Sequence, residues 1–236
     1  DVGNVDGVFV NNWVERTNDG FFFEISKGAI CAGNVFVDCD RGIHVLNSSN
    51  VRIYQNTLFN SVVKIERTER SAVGDHFGWH PSAGPDVTER QGHVLLNNLL
   101  AADETFRGPL LLVTQSEKVR DRLSDPQLAA LDGNAYVRRA GTKPQPLISW
   151  GPVSPKNDTV DLFELATLRK LQPTFESAGR AMPDYDGALF RSVELKRFDV
   201  LPAFPLREVS VSLPTEARTV LGWTEDNARQ PGARSR

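Results

Sequence analysis

The sequence has few cysteines, no long apolar run and no excess of basic charge. Among 236 residues there are two cysteines, and 27 lysines and arginines stand against 30 aspartates and glutamates, for a net charge of −3. This balance offers no basic field for nucleic acid and no charged run that would dock on an anionic membrane. No apolar stretch is long enough to span a bilayer, and no signal peptide is recognisable. We therefore expect neither a nucleic acid partner nor membrane insertion.

Because the two cysteines, Cys31 and Cys39, fall on different walls of one sequence repeat, we expect buried, unpaired thiols. A disulfide or a metal pair is the weaker interpretation.

What the sequence does contain is an asparagine that returns at a fixed interval. Asn12, Asn34 and Asn56 are 22 residues apart, and Asn98 follows after one interval and about 20 inserted residues. Apolar residues stand three before each asparagine (Phe9, Cys31, Ile53 and Leu95) and two after it (Val14, Phe36, Leu58 and Leu100). Because each unit of a solenoid buries its apolar face only by stacking on its neighbours, this repeat predicts a stack of coils.

A second segment of each repeat alternates between apolar and other residues, which is typical of a half-buried strand. The alternation predicts inward positions at Phe21, Ile43 and Ile65 and outward positions at Phe22, His44 and Glu66. Asparagines at the same place on successive coils can form a ladder of side-chain amides that satisfies the backbone at a sharp turn.

Two repeat architectures fit an asparagine with these apolar neighbours. A leucine-rich repeat has a similar period, but it needs leucine-rich convex segments where this sequence has a second strand rich in β-branched and aromatic residues. The sequence therefore predicts an all-β fold, a right-handed parallel β-helix with about 22 residues per coil.

The repeat also predicts how the chain is divided. We expect coils over residues 1–150, interrupted by a loop near 68–90, with Gly133–Tyr136 in one more degenerate coil. Residues 151–220 are expected to close the solenoid and to contain one short helix over Val160–Leu171. Residues 221–236 are expected to form a poorly ordered tail. Since the chain opens inside a repeat-like phrase, we also expect earlier coils to precede Asp1.

Three strings carry a resemblance to a known family: Gly33-Asn34-Val35-Phe36, Asp40-Arg41-Gly42-Ile43-His44-Val45 and Val51-Arg52-Ile53-Tyr54-Gln55-Asn56-Thr57-Leu58. They resemble the repeats of the pectate-lyase-like superfamily, and more closely its bacterial β-helix repeat proteins. The resemblance implies a secreted or cell-envelope protein that acts on polysaccharide, commonly as a lyase or a glycoside hydrolase. A similar fold can support many reactions, so the reaction has to be inferred from the residues of the site.

The outward positions of the second strand give the first candidate site. On stacked coils about 4.8 Å apart, Phe22, His44 and Glu66 would be an aromatic plate, an imidazole and a carboxylate at successive heights. Lys64 and Arg67 flank Glu66 in sequence, and Arg70 follows shortly after. A solvated outer face with scattered charges is the competing interpretation.

The inserted loop gives the second candidate site. It contains Asp75, His76, Trp79 and His80, and a long loop on a rigid solenoid is a place where binding residues concentrate. The tryptophan can stack on a sugar ring and histidine offers a base near neutral pH. Both histidines can equally be tucked against the wall of a coil, and a zinc pair is disfavoured because Gly78 and Pro81 argue against a helix.

These residues leave three functions open. A lyase, slightly favoured, needs a cation or calcium to neutralise a uronate, and a base and an acid; we predict His44, Glu66, Asp75, His76 and His80 as catalytic residues. Substrate-binding candidates are Phe22, Lys64, Arg67, Arg70 and Trp79. A glycoside hydrolase needs two facing carboxylates, for which Glu66 with Asp75 or Asp38 with Asp40 are available. The third function is a non-catalytic, carbohydrate-binding or adhesive solenoid, and a purely structural fragment is the remaining alternative. We expect a monomer with a polysaccharide partner.

Overall fold

Five coils of three short strands each form the body of the protein, in a computed structural model that describes residues 2–70, 90–141, 143–153, 159–224 and 230–233. The first coil contains β1 (Val8–Val10), β2 (Trp13–Glu15) and β3 (Asp19–Glu24), and the second contains β4 (Ile30–Ala32), β5 (Val35–Val37) and β6 (Arg41–Leu46). The third contains β7 (Arg52–Tyr54), β8 (Thr57–Phe59) and β9 (Val62–Arg67). The fourth contains β10 (His93–Leu96), β11 (Leu99–Ala102) and β12 (Leu111–Gln115), and the fifth β13 (Leu128–Asp132), β14 (Ala135–Arg139) and β15 (Ile148–Trp150).

Strands at the same place in successive coils pair in parallel and make three sheets. The first sheet has the order β1-β4-β7-β10-β13, the second begins β2-β5-β8-β11-β14, and the third begins β3-β6-β9-β12-β15. The predicted all-β parallel β-helix is confirmed. Its core is a column of stacked apolar side chains, with Phe36, Ile43, Ile53, Leu58 and Ile65 wholly buried.

The asparagine row lies between the first and second sheets and forms a continuous ladder. Each side-chain Nδ2 donates to Oδ1 of the next asparagine, over Asn12, Asn34, Asn56, Asn98 and Asn134, at 2.9–3.0 Å. The backbone N–H of each also donates to that same oxygen. The predicted degenerate coil around Asn134 is therefore the fifth coil, and the ladder satisfies polar groups that no sheet can pair.

The residue before each ladder asparagine has a left-handed backbone. The φ values lie between +54° and +66° at Asn11, Gly33, Gln55, Asn97 and Gly133. Glycine and asparagine adopt this conformation at the lowest cost, which explains why they dominate these five positions. The turn therefore constrains two consecutive positions. The first adopts the left-handed backbone, and the second supplies the asparagine of the ladder.

The C-terminal closure departs from the prediction of a single helix. Val160–Leu162 is a strand, β16, because it pairs antiparallel with β15 instead of joining the helix, so α1 covers only Leu165–Leu171. β17 (Arg180–Tyr185) adds to the second sheet, β18 (Phe190–Ser192) and β19 (Arg197–Val200) pair antiparallel, and a second helix, α2, spans Thr215–Leu221. A single turn of 3₁₀ helix covers Glu117–Val119. None of the helices in the described residues is both long and apolar enough to cross a membrane.

Residues 230–233, which belong to the predicted tail, contact the third coil. The Nε2 of Gln55 donates to the carbonyls of Gln230 and Gly232, and the N–H of Ala233 donates to the hydroxyl of Thr57. Because these contacts satisfy polar groups on the outside of the coils, residues 230–233 are held against the solenoid.

Both cysteines are free and buried, as predicted. Burial raises the pKa of the Cys31 thiol and that of the Cys39 thiol. Both side chains belong to the buried apolar core of the solenoid.

Candidate functional site

The outward face of the third sheet places an aromatic ring on an imidazole. Phe22 on β3 and His44 on β6 are register partners, and their rings stack at 4.8 Å between centroids and 23° between planes. Phe22 is 36% exposed, whereas His44 beneath it is 6% exposed. The ring of Phe22 therefore covers one face of the His44 imidazole and remains partly exposed.

His44 lies between two carboxylates. Its Nδ1 is 3.0 Å from Oδ1 of Asp19 on β3, and its Nε2 is 2.8 Å from Oε1 of Glu66 on β9. A neutral imidazole has one N–H, so both carboxylates accept from His44 only when the ring carries two protons. Each ring nitrogen is occupied in this arrangement.

Two cations flank these carboxylates. The Arg41 guanidinium holds Asp19 through two bonds, Nε to Oδ1 at 2.5 Å and Nη2 to Oδ2 at 2.7 Å, and Nζ of Lys64 is 2.7 Å from Oε2 of Glu66. The hydrogen bond from Arg41 outweighs burial and lowers the pKa of Asp19. Burial pushes the pKa of Glu66 upward, but hydrogen bonds from His44 and Lys64 prevail and leave it below its usual value. We call Asp19, Phe22, Arg41, His44, Lys64 and Glu66 the outer cluster.

The predicted row of Phe22, His44 and Glu66 needs a correction. The backbone partner of His44 on β9 is Lys64, and Glu66 stands opposite Leu46. The turn before β9 is one residue shorter than the turn before β6, and an irregularity between Arg41 and Ile43 shifts the register by one residue more, so that Ile43 pairs with Val63. Glu66 nevertheless reaches His44, because its side chain leans back along the same face.

Arg67, predicted to bind substrate beside Glu66, lies on the other side of the sheet. It is 1% exposed, and its guanidinium donates to the carbonyls of Arg90 and Asp125. Alternation along β9 puts residue 67 on the same side as Ile65, so this position was readable from the sequence. Arg70 does remain at the outer surface, where Nη1 pairs with the buried carboxylate of Glu24.

The remaining predicted residues are not brought into this site. Asp75, His76, Trp79 and His80 lie outside the described residues, so the proposal that the loop and Glu66 form one site stays a prediction. Asp38 accepts from Nδ2 of Asn60, which occupies one of its carboxylate oxygens, and Asp40 is exposed.

The sequence interpretation missed Asp19, which lies at the start of β3. The available signal was its spacing. Asp19 and Arg41 are one 22-residue period apart, so these two opposite charges stand at matching positions on adjacent coils. That spacing predicts a cross-strand ion pair.

The described residues do not present a metal centre. Within that part of the chain, no three side chains among histidine, cysteine, aspartate and glutamate are arranged to hold a metal ion. His93 is wholly buried at the start of β10, and burial lowers its pKa to about 3, so it is a structural histidine that accepts from the backbone N–H of Val51. Calcium therefore has no assigned place among the described residues.

A family model described as "Periplasmic copper-binding protein (NosD)" matches residues 5–91. That stretch contains the first three coils and the whole outer cluster. No curated protein and no solved structure matches the chain. The chain is thus similar to this family over its first three coils, and the resemblance to the pectate-lyase-like superfamily stays a prediction.

Proposed function

We propose that the protein is a carbohydrate-active β-helix that binds a polysaccharide along the outward face of its third sheet. The single observation that carries this proposal is the partly exposed ring of Phe22, which stacks on His44 beside the charged groups of the outer cluster. A sugar ring stacks on an aromatic face while its hydroxyls need donors and acceptors at the edge. The outer cluster offers both.

The rigidity of the cluster supports binding. Asp19, Arg41, His44, Lys64 and Glu66 hold one another through ion pairs and hydrogen bonds on paired strands. A surface organised before the ligand arrives loses little side-chain entropy on binding.

Degradation by a lyase is the second candidate, and the two cations beside an imidazole favour it. Arg41 would neutralise the carboxylate of a uronate unit, a singly protonated His44 would take the proton from C5, and Lys64 would protonate the leaving oxygen as the glycosidic C–O bond breaks. For that step the substrate must displace Glu66 or Asp19 from a ring nitrogen. A glycoside hydrolase is less well supported here, because the His44 ring fills the space between the two carboxylates where a sugar would have to lie.

Copper binding, which the description of the matched family names, does not fit the described residues. The two thiols are buried, and no three donors converge. The word "periplasmic" in that description supports our proposal of a cell-envelope or secreted protein. We also propose that it acts as a monomer.

The test is a binding panel of neutral and uronate-containing polysaccharides with Phe22→Ala and its matched control Phe163→Ala. Phe163 is similarly exposed but lies next to α1, away from the outer cluster. We expect Phe22→Ala to weaken binding about fivefold, because a stacking contact contributes about 1 kcal/mol, and Phe163→Ala to leave it unchanged. Equal affinities for the two variants would contradict the proposal.

The same panel separates binding from degradation. A rise in absorbance from an unsaturated product, lost in His44→Gln, would support the lyase, and new reducing ends without that rise would indicate hydrolysis. Binding with neither signal leaves a carbohydrate-binding solenoid.

A further inference from the structure

A small cavity of about 130 Å³ lies where the third sheet ends, on the opposite side of the sheet from the outer cluster. The ends of β9, β12 and β15 supply Arg67, Gln115 and Trp150, and Gln127 and Pro152 complete its walls. Ser124, Asp125 and Pro126 at its rim are exposed, so the cavity opens to solvent. Its volume corresponds to about four water molecules.

The guanidinium of Arg67 is buried in this wall, and none of the described carboxylates forms an ion pair with it. Nε donates to the carbonyl of Arg90, and Nη1 donates to Oε1 of Gln115 and the carbonyl of Asp125. Nη2 is buried with no hydrogen-bond partner. Among the described residues no carboxylate lies within ion-pair distance of Arg67, although the charge of Asp125 is near enough to act on it. A buried cation without a counter-ion is costly, and burial lowers the pKa of Arg67 to about 10.

The same cavity holds an unpaired acceptor. Nε2 of Gln127 donates to the carbonyl of Thr114, while Oε1 of Gln127 is buried with no partner. Arg67 and Gln127 therefore both line the cavity, and each keeps one buried polar atom that has no partner among the described residues. A third molecule that brings an anionic acceptor and a donor would satisfy both.

We propose that this cavity binds a small hydroxycarboxylate, with the carboxylate on Arg67 and the hydroxyl donating to Oε1 of Gln127. A planar carboxylate matches the fork of a guanidinium, and the flat sides of Trp150 and Pro152 suit a short carbon chain. The cavity size limits the ligand to a few carbon atoms. This site is independent of the proposed polysaccharide surface, because it uses none of the residues of the outer cluster.

The test compares glycolate with acetate, which lacks the hydroxyl. In an NMR titration, the indole N–H resonance of Trp150 should shift and saturate, while that of Trp13 on the second sheet should not. We expect glycolate to bind about tenfold more tightly than acetate, because acetate leaves Gln127 unpaired.

Two variants, one in the wall of the cavity and one at its rim, test the site without replacing Arg67, whose loss could prevent folding. Gln127→Met preserves the length of the side chain and should remove the preference for glycolate without weakening acetate. Asp125→Asn removes a competing negative charge and should tighten both anions severalfold. Thermal unfolding of each variant checks that it folds. No saturable shift of Trp150 at millimolar glycolate would show that water alone fills the cavity, and an unchanged preference in Gln127→Met would equally overturn the proposal.

Discussion

Two carboxylates, Glu176 at the end of the ladder and Glu66 in the outer cluster, are both held by hydrogen bonds but are shifted in opposite directions. Glu176 is wholly buried and accepts from Nδ2 of Asn134 at 2.8 Å and from the hydroxyl of Tyr136 at 2.7 Å. Burial is the largest influence and raises its pKa to about 7, against its hydrogen bonds. Glu66 is hydrogen-bonded to His44 and to the cation Lys64, and its pKa is lowered.

The comparison teaches that a hydrogen bond from a neutral donor does not replace a counter-charge. Asn134 and Tyr136 stabilise the Glu176 carboxylate, yet they cannot offset the loss of hydration in the interior. At the outer face, Lys64 adds a charge, and water still reaches part of the cluster. The interior therefore favours a neutral acceptor at the end of the ladder, and the surface favours charged pairs.

The largest effect is expected from breaking the ladder that leads to Glu176. In Asn56→Leu the buried N–H of Asn34 and the carbonyl of Cys31 lose their partners. We expect the free energy of unfolding to fall by about 4 kcal/mol, measured by urea denaturation, since each orphaned buried group costs about 1–3 kcal/mol. Asn12→Leu is the control, because no described residue donates to its Oδ1, and it should cost about 1 kcal/mol. Equal losses would show that the ladder does not act as a buried chain.

The next effect concerns the pH dependence of stability at Glu176. Its folded pKa lies above the unfolded value, so the folded state binds more protons between pH 4.5 and about 7. The free energy of unfolding should therefore fall as pH rises through this window, by about 3 kcal/mol for this group. Glu176→Gln keeps a neutral acceptor and should flatten this slope in urea titrations at several pH values. A slope of the same size in the variant would contradict the shift.

The smallest effect is expected at Glu66, with the opposite sign. Because its folded pKa is lowered, its contribution is present above the unfolded pKa and is lost as pH falls through the folded pKa. Glu66→Gln should cost about 1 kcal/mol at neutral pH, and wild type and variant should converge in acid. If the two instead diverge as the pH falls, Glu66 is not held by its cationic partners.

The coil stack was predictable because its cause is local and repeated. Each asparagine follows a left-handed residue at the same turn, so the 22-residue spacing predicted the first three asparagines of the ladder, the interrupted repeat predicted Asn98, and Gly133-Asn134 indicated the fifth. For the outer cluster, the sequence predicted the common face of the side chains but not their register. Period-two alternation put Phe22, His44, Lys64 and Glu66 on one face, but a turn one residue shorter and a register shift between Arg41 and Ile43 set Lys64 opposite His44.

The sequence by itself determined the solenoid, the ladder and the face that carries His44, because a repeated turn imposes its own register on each new coil. Only the tertiary structure decided that Glu176 completes the ladder. Glu176 belongs to an irregular segment with no period, and it reaches Asn134 across 42 residues because the closure packs α1 and Phe175 over the last coil. Likewise, the unpaired guanidinium of Arg67 becomes visible only when β9, β12 and β15 are brought together around one cavity. Such contacts depend on where separate segments meet, which no local pattern encodes.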